Sequence, residues 1–314
     1  MDLGRKPVPS KEQVERAALV QATRDWGYFD SDVLKRRSRV WRGRDMLEVG
    51  MGAGPHSVSY VEGGARSYVG VDPLVGDVSV RDFRSERDRS IPEYHAFPFT
   101  TADIERLYPN IRLYPGLLEE VADKVAAHRL DIAVLQAVSE HLADPPRVIE
   151  TVWRVLAPGG LLLMTHCNYY SWTGHHLAPR TVEAWDRADA AQNAAADWGH
   201  LDPAHPAWSD DGLNRVRLDD MRALIDKYFE IVELRFSVDA RARLTPELRR
   251  RFRRYSLAEL LGRNFYFTAR KRDVPLATDL ASRQFYHPAE TYLADRDYSG
   301  EDIAPYGRFS VYLV

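Results

Sequence analysis

The chain has 314 residues, 45% hydrophobic and 28% charged, with a formal net charge of -3. That composition is ordinary for a globular protein, and the slight acidity excludes a general nucleic-acid coat or a strongly basic membrane binder. A single cysteine, Cys167, excludes a disulfide framework and a cysteine zinc cluster and fits a reducing cytoplasm. No apolar stretch has the length of a signal peptide or a membrane span.

In chain order, residues 10–40 read as charged helical material whose Ala17, Ala18, Val20 and Leu34, with Trp26, Tyr28 and Phe29, cover a core. "DMLEVG" then reads as a buried strand that ends in glycine. "GARSYVGVD", "LDIAVLQAV" and "GGLLLMTHC" read as further strands. Between the last two, "PPRVIETVWRVLAP" carries Val148, Ile149, Val152, Val155 and Leu156 at helical spacing. Such alternation predicts a parallel sheet covered on both faces. The helix "RLDDMRALIDKYF" and the strands "YFEIVELRF" and "RNFYFTARKR" follow. Three stretches stand outside this alternation: 73–110, 168–213 and a tail from 273. "TVEAWDRADAAQNAAADWGH" in the second reads as a helix with a small-residue face. The expected organisation is a helical cover over 1–44, a core over 45–272 with a lid insertion at 168–213, and a tail over 273–314.

Beyond the first core strand lies "LEVGMGAG", at the carboxyl edge where open parallel sheets bind ligands. Gly50, Gly52 and Gly54 remove Cβ atoms and permit a sharp turn. The spacing is G-x-G-x-G, not the dinucleotide G-x-G-x-x-G, and no Walker lysine follows. Glu48 repels phosphate and suits a cation. Asp72, ending the second strand, is placed to accept from ribose hydroxyls. Together they describe a pocket for a nucleoside with a positively charged appendage.

That description fits S-adenosylmethionine. In "LEVGMGAG", "VGVDP", "LDIAVLQAVSEHLADPPRVI" and "RVLAPGGLLLMT", in this order, the sequence resembles the class I S-adenosylmethionine-dependent methyltransferases, above all over 45–160. Within that class it resembles the small-molecule and sugar O-methyltransferases. The resemblance implies a Rossmann-like α/β fold with a doubly wound, mostly parallel seven-stranded sheet and helical lid insertions. It implies that Glu48 and the glycine loop hold the methionine part and that Asp72 takes the ribose. Gln136 and Ala137 would lie near the sulfonium. Leu117 and Leu118 stand where the family often has an acid near the adenine, so apolar walls replace it there, with Glu119 as a further candidate.

Methyl transfer needs a positioned acceptor and, for a hydroxyl, a base. Candidate bases are His141 in "SEHLADP" and His166, His175 and His176 in "THCNYYSWTGHHLAPR". His141 has two readings, a base or a residue that holds its loop. His175 and His176 are adjacent and have no carboxylate at a familiar ligand spacing, so no metal site is expected from them; a magnesium requirement stays open. "LRRRFRRYS" reads as a solvated helix face rather than an RNA surface. The expected partner is a small-molecule acceptor, a carbohydrate or polar natural product, with no DNA, RNA or membrane; a homo-oligomer is compatible. Two alternatives are kept: an RNA or protein methyltransferase, and a non-catalytic binding subunit on the same fold.

Overall fold

The computed structural model describes residues 9–30, 38–52, 54–73, 97–205, 212–285, 297–301 and 309–312. Most of the 73–110 stretch and much of the tail therefore lie outside the described residues. The chain forms two compact units, Met1–Val134 and Leu135–Val314.

In the first unit, α1 (Lys11–Asp25) starts at a capping box in which Ser10 and Gln13 satisfy each other's backbone N–H groups. Leu19 and Thr23 are its buried residues. Charged bonds flank that buried stripe: Arg16 to Glu62 and Arg106 to Glu15, both at 2.8 Å. Then come β1 (Asp45–Val49), α2 (His56–Glu62), β2 (Ser67–Asp72), α3 (Thr101–Leu107), β3 (Ile111–Pro115), α4 (Leu118–Ala126) and the start of β4 (Leu130–Gln136). The order here is β3-β2-β1-β4, and β1 pairs with β2 and β2 with β3 in parallel. Both β1 and β2 are buried beyond their first residue. Near-continuous burial of this kind marks parallel strands covered on both faces. The register sets Glu48 opposite Gly70 and Asp72 opposite Pro115. Gly70 makes room for Met51, because a Cβ there would stand 1.9 Å from its Sδ.

The second unit runs from the end of β4 through a single turn, Ser139–His141, into α5 (Pro145–Val155) and β5 (Leu156–Cys167). Asp144 caps α5 and proline opens it. After α6 (Ala190–Ala195) come α7 (Leu218–Tyr228), β6 (Phe229–Val238), α8 (Pro246–Arg251), α9 (Leu257–Leu261), β7 (Gly262–Lys271) and β8 (Phe309–Tyr312). The order is β5-β7-β6-β8, with every adjacent pair antiparallel. The six strands read from the sequence are β1, β2 and β4–β7, and β3 brings the mixed sheet of the Rossmann-like α/β class to the seven strands that the resemblance implies. An eighth strand, β8, comes from the tail, which the periodicity did not indicate.

One expected helix is much shorter than its pattern suggests. Within 181–200 only Ala190–Ala195 is α-helical. Asp186 accepts from the Ala188 N–H and Asp189 from the Ala191 and Gln192 N–H groups. Such local bonds hold the preceding residues in turns and start the helix late. At its other end Trp198 takes a left-handed φ of 63°. Among the described residues, no helix is long and apolar enough to cross a membrane.

A buried ion pair anchors the second unit. Arg217 Nη2 donates to Glu259 Oε2 at 2.6 Å, and Nε donates to Oε1. The guanidinium lies 5.2 Å from the Tyr170 ring centre and 5.1 Å from that of Tyr255. Glu259 also accepts from Ser256 at the start of α9, so one carboxylate caps a helix and neutralises a buried cation.

Candidate active site

The loop after β1 is a backbone structure. Gly50, Gly52 and Gly54 have φ values of 73°, 60° and 83°. These are left-handed conformations that glycine reaches without the Cβ clash. Gly50 N–H donates to the Val71 carbonyl at 2.8 Å, and Gly52 N–H donates to Asp72 Oδ2 at 2.9 Å. Asp72 thus ties the middle of the loop to the end of β2. A Cβ on Gly52 would meet nothing within 4 Å. Its open side is a cradle that a side chain would fill, so glycine there serves approach rather than packing.

Glu48 lies beneath this loop, 2% exposed. The Tyr68 hydroxyl donates to its Oε2, and His56 Nδ1 stands 3.7 Å from Oε1. Burial raises the Glu48 carboxyl to about 7; the Tyr68 hydrogen bond opposes that rise and the Asp72 charge adds to it. Burial lowers His56 to about 4. At pH 6 the two are therefore neutral neighbours, a carboxylic acid and an imidazole, rather than an ion pair. A cation arriving here would favour the ionised carboxylate. On the same unit Leu117, just before α4, is 48% exposed, while Leu118 is buried. Leu117 alone of the two offers an apolar surface.

The second unit carries a cavity of about 280 Å³. Its walls come from separate segments: Ala137 to His141, Cys167 to Arg180, and Arg263 with Asn264. Ala137 and His176 have φ values of 51° and 56°. Two side-chain-bearing residues in left-handed backbone on one cavity mark stored strain of the kind that collects at functional sites. Amide side chains pin the segments. Asn214 Nδ2 donates to the Ser139 and Leu142 carbonyls at 2.6 and 3.1 Å, and Asn168 Nδ2 to the Glu259 and Gly262 carbonyls at 2.6 Å each. Gln136 closes β4, and the next N–H, of Ala137, donates to the Thr165 carbonyl at 3.1 Å.

The four candidate histidines divide into two pairs. His141 and His176 line the cavity, with ring centres 5.7 Å apart. His141 Nδ1–H donates to the Gly212 carbonyl at 2.8 Å, which leaves the Nε2 lone pair on the other side of the ring. His166 and His175 are each 2% exposed and are not cavity-lining residues. His166 bonds Ser139 at 2.9 Å, and burial lowers it to about 4. His175 Nδ1 accepts from the Leu177 N–H, and its ring packs 4.8 Å from His200. These two support the cavity wall from behind.

The sequence matches the family described as "Methyltransferase domain" over residues 24–234. The chain belongs to that family. The chain is 32% identical over 133 residues to an uncharacterized methyltransferase of Mycobacteroides abscessus, 42% of each chain. It is 25% identical over 142 residues to a ubiquinone biosynthesis O-methyltransferase of Psychrobacter cryohalolentis, 45% of this chain and 48% of that one. The matched stretch thus spans less than half the length of either relative. A putative S-adenosylmethionine-dependent methyltransferase structure from Listeria monocytogenes superposes with a TM-score of 0.43 at 14% identity, over 74% of this chain and 93% of that one.

Several residues of the two units escaped the sequence reading. Tyr68 and His56 contact Glu48 from a neighbouring strand and the following helix, and no motif spacing announces them. Glu140 is 3% exposed and faces the second unit's cavity, with the Cys167 sulfur within 4.8 Å of its carboxylate. Burial raises the thiol strongly and raises Glu140 above the usual carboxylate range. The basic run reads as expected only in part. Arg250, Arg251 and Arg253 are exposed, while Arg249 donates to the Tyr255 carbonyl at 2.8 Å and pairs with Glu301 at 3.6 Å.

Proposed function

We propose that this protein transfers a methyl group from S-adenosylmethionine to a hydroxyl of a small polar molecule, a carbohydrate or natural product. The observation that carries the reading is the glycine loop with its two acids. Three left-handed glycines present an open backbone, Asp72 binds that backbone, and buried Glu48 stands ready to become an anion beside a cation. These residues fit a cationic nucleoside and do not fit a polyphosphate, which the carboxylates repel. Membership of the methyltransferase-domain family supports the same reading.

In this proposal Glu48 and the loop hold the amino-acid end, Asp72 the ribose and Leu117 a face of the base. Gln136 and Ala137 follow in the chain and border the transfer. When bound, the cofactor supplies a methyl carbon made electrophilic by its sulfonium. The acceptor occupies the second unit's cavity, whose polar lining of Arg180, Arg263 and Asn264 suits hydroxyl groups. His141 receives the acceptor's proton at Nε2, the nitrogen that its Gly212 bond leaves free. Glu140 Oε1, 3.9 Å from that nitrogen, steadies the imidazolium that forms. His176 positions the acceptor opposite His141. The relative named as an O-methyltransferase supports oxygen as the accepting atom.

Calorimetry with S-adenosylhomocysteine tests the donor half. Binding to the wild-type chain and its loss in Asp72→Ala are expected; no binding, or equal binding by the variant, overturns the reading. Turnover of a panel of polyhydroxylated acceptors tests the other half, with His141→Ala slower by a factor of about 10² to 10⁴.

A further inference from the structure

We propose that Glu140, Cys167 and His176 form a binding site for one divalent transition-metal ion of zinc's character. A carboxylate oxygen, the thiol sulfur and an imidazole nitrogen of these residues all lie within 4.8 Å of one another. All three residues line the same cavity. No short motif joins them, because they stand 27 and 9 positions apart in sequence and only the fold gathers them.

Independent features point to a ligand at this place. Glu140 is 3% exposed, yet its Oε2 makes no hydrogen bond of normal geometry. A buried carboxylate oxygen left so costs stability, and a cation bound there would offset that cost. His176 holds its left-handed backbone at the cavity wall, where a ligating side chain gives that strain a purpose. A single buried anion beside an imidazole also lacks what magnesium or calcium needs, several oxygen ligands. A thiolate and an imidazole with one carboxylate suit zinc, whose catalytic sites carry three protein ligands and keep a fourth position open. Bonds of 2.0–2.3 Å in a tetrahedron need donors roughly 3.3–3.8 Å apart, so small side-chain rotations complete the site.

Binding breaks the Cys167 S–H bond. The proton leaves to solvent, and the electron pair left on sulfur forms the metal bond, so nothing is oxidised or reduced. The use of the ion rests on the oxygen-transfer reading above. Its open position would take the acceptor hydroxyl and ease loss of the hydroxyl proton to His141, which stays outside the ligand set.

The test uses cobalt(II) chloride with the chelator-treated full-length chain. Because Cys167 is the single cysteine, a sulfur-to-cobalt charge-transfer band can come from no other residue. The expected result is such a band saturating at one ion per chain, displaced by zinc(II), and absent in Cys167→Ser. In Glu140→Gln and His176→Ala the band persists but cobalt binds more weakly by more than about tenfold. Zinc should also protect the wild-type thiol from alkylation by iodoacetamide, a readout that needs no variant to fold. No band and no protection in the wild-type chain overturn the site, as do wild-type affinities in both ligand variants. S-adenosylhomocysteine binding, measured alongside, separates the two readings. Its absence beside an intact cobalt band sinks the transfer reading alone, and its presence without the band sinks the metal site alone.

Discussion

The glycine loop of the first unit and the cavity of the second are built on opposite plans. The loop spans a few consecutive residues, and its shape is a matter of backbone: three left-handed glycines, with bonds to Val71 and Asp72. The cavity draws on segments more than a hundred residues apart and is held by Asn168 and Asn214 bonded to distant carbonyls and, in the same unit, by the Arg217–Glu259 ion pair. The contrast teaches where tolerance lies. A backbone site fails when a single Cβ intrudes, whereas a side-chain-assembled site fails when its buried supports are cut.

The sharpest way to break this comparison is Arg217→Ala. It leaves Glu259 as an unpaired buried anion, and loss of about 3–5 kcal/mol in urea unfolding is expected. A loss under about 1 kcal/mol would mean that the second unit is not held by this pair.

Next come the first unit's two opposing titrations. Glu48 is raised from 4.5 to about 7, so it favours the folded state below pH 4.5 and loses that contribution as pH climbs to about 7. His56 is lowered from 6.5 to about 4, so its contribution to stability grows across that window. The two contributions should therefore nearly cancel in this range. Measured against the wild-type profile, His56→Gln should lose up to about 3 kcal/mol between pH 4.5 and 7, because Glu48 is left unopposed. Glu48→Gln should instead gain stability with rising pH. That gain should be smaller, because 24% of the His56 side chain stays in contact with water. Denaturant midpoints in a pH series check both; parallel profiles for the two variants would refute the account.

Two glycines then separate packing from approach. Gly70→Ala drives a Cβ to 1.9 Å from Met51 Sδ and should cost about 1–3 kcal/mol of stability. Gly52→Ala meets open space and should cost only the left-handed penalty, about 1–2 kcal/mol, while weakening S-adenosylhomocysteine binding far more than Gly70→Ala does. Equal effects on binding would erase the distinction.

The smallest expected effect belongs to the cover. Ser10→Ala removes the α1 cap and should cost about 1 kcal/mol with ligand binding unchanged. A change in affinity there would show that α1 does more than cover the first unit's core.

What could be read in advance follows the same division. The strands β1, β2 and β4–β7 and the glycine turn were legible, because burial patterns and turn residues leave local marks on composition; β3 was implied by the resemblance alone. The late start of α6 was not, because Asp186 holds a turn and Asp189 caps the helix only from Ala190, through bonds that periodicity does not register. Nor was β8, whose place depends on pairing with a strand some seventy residues earlier. Four histidines looked alike as candidates. Burial alone separates His166 and His175, behind the wall, from His141 and His176, on it.

By itself, then, the sequence determined the α/β class, the turn after β1 and the presence of an acid on each of the two strands beside it, since each rests on neighbours a few residues apart or on a strand's own burial. Only the tertiary structure decided which histidines reach the cavity, that Tyr68 and His56 share Glu48, and that Glu140, Cys167 and His176 converge. Those meetings are set by strand register and by long-range side-chain bonds, and a linear pattern carries no record of which distant groups will share a few ångströms of space.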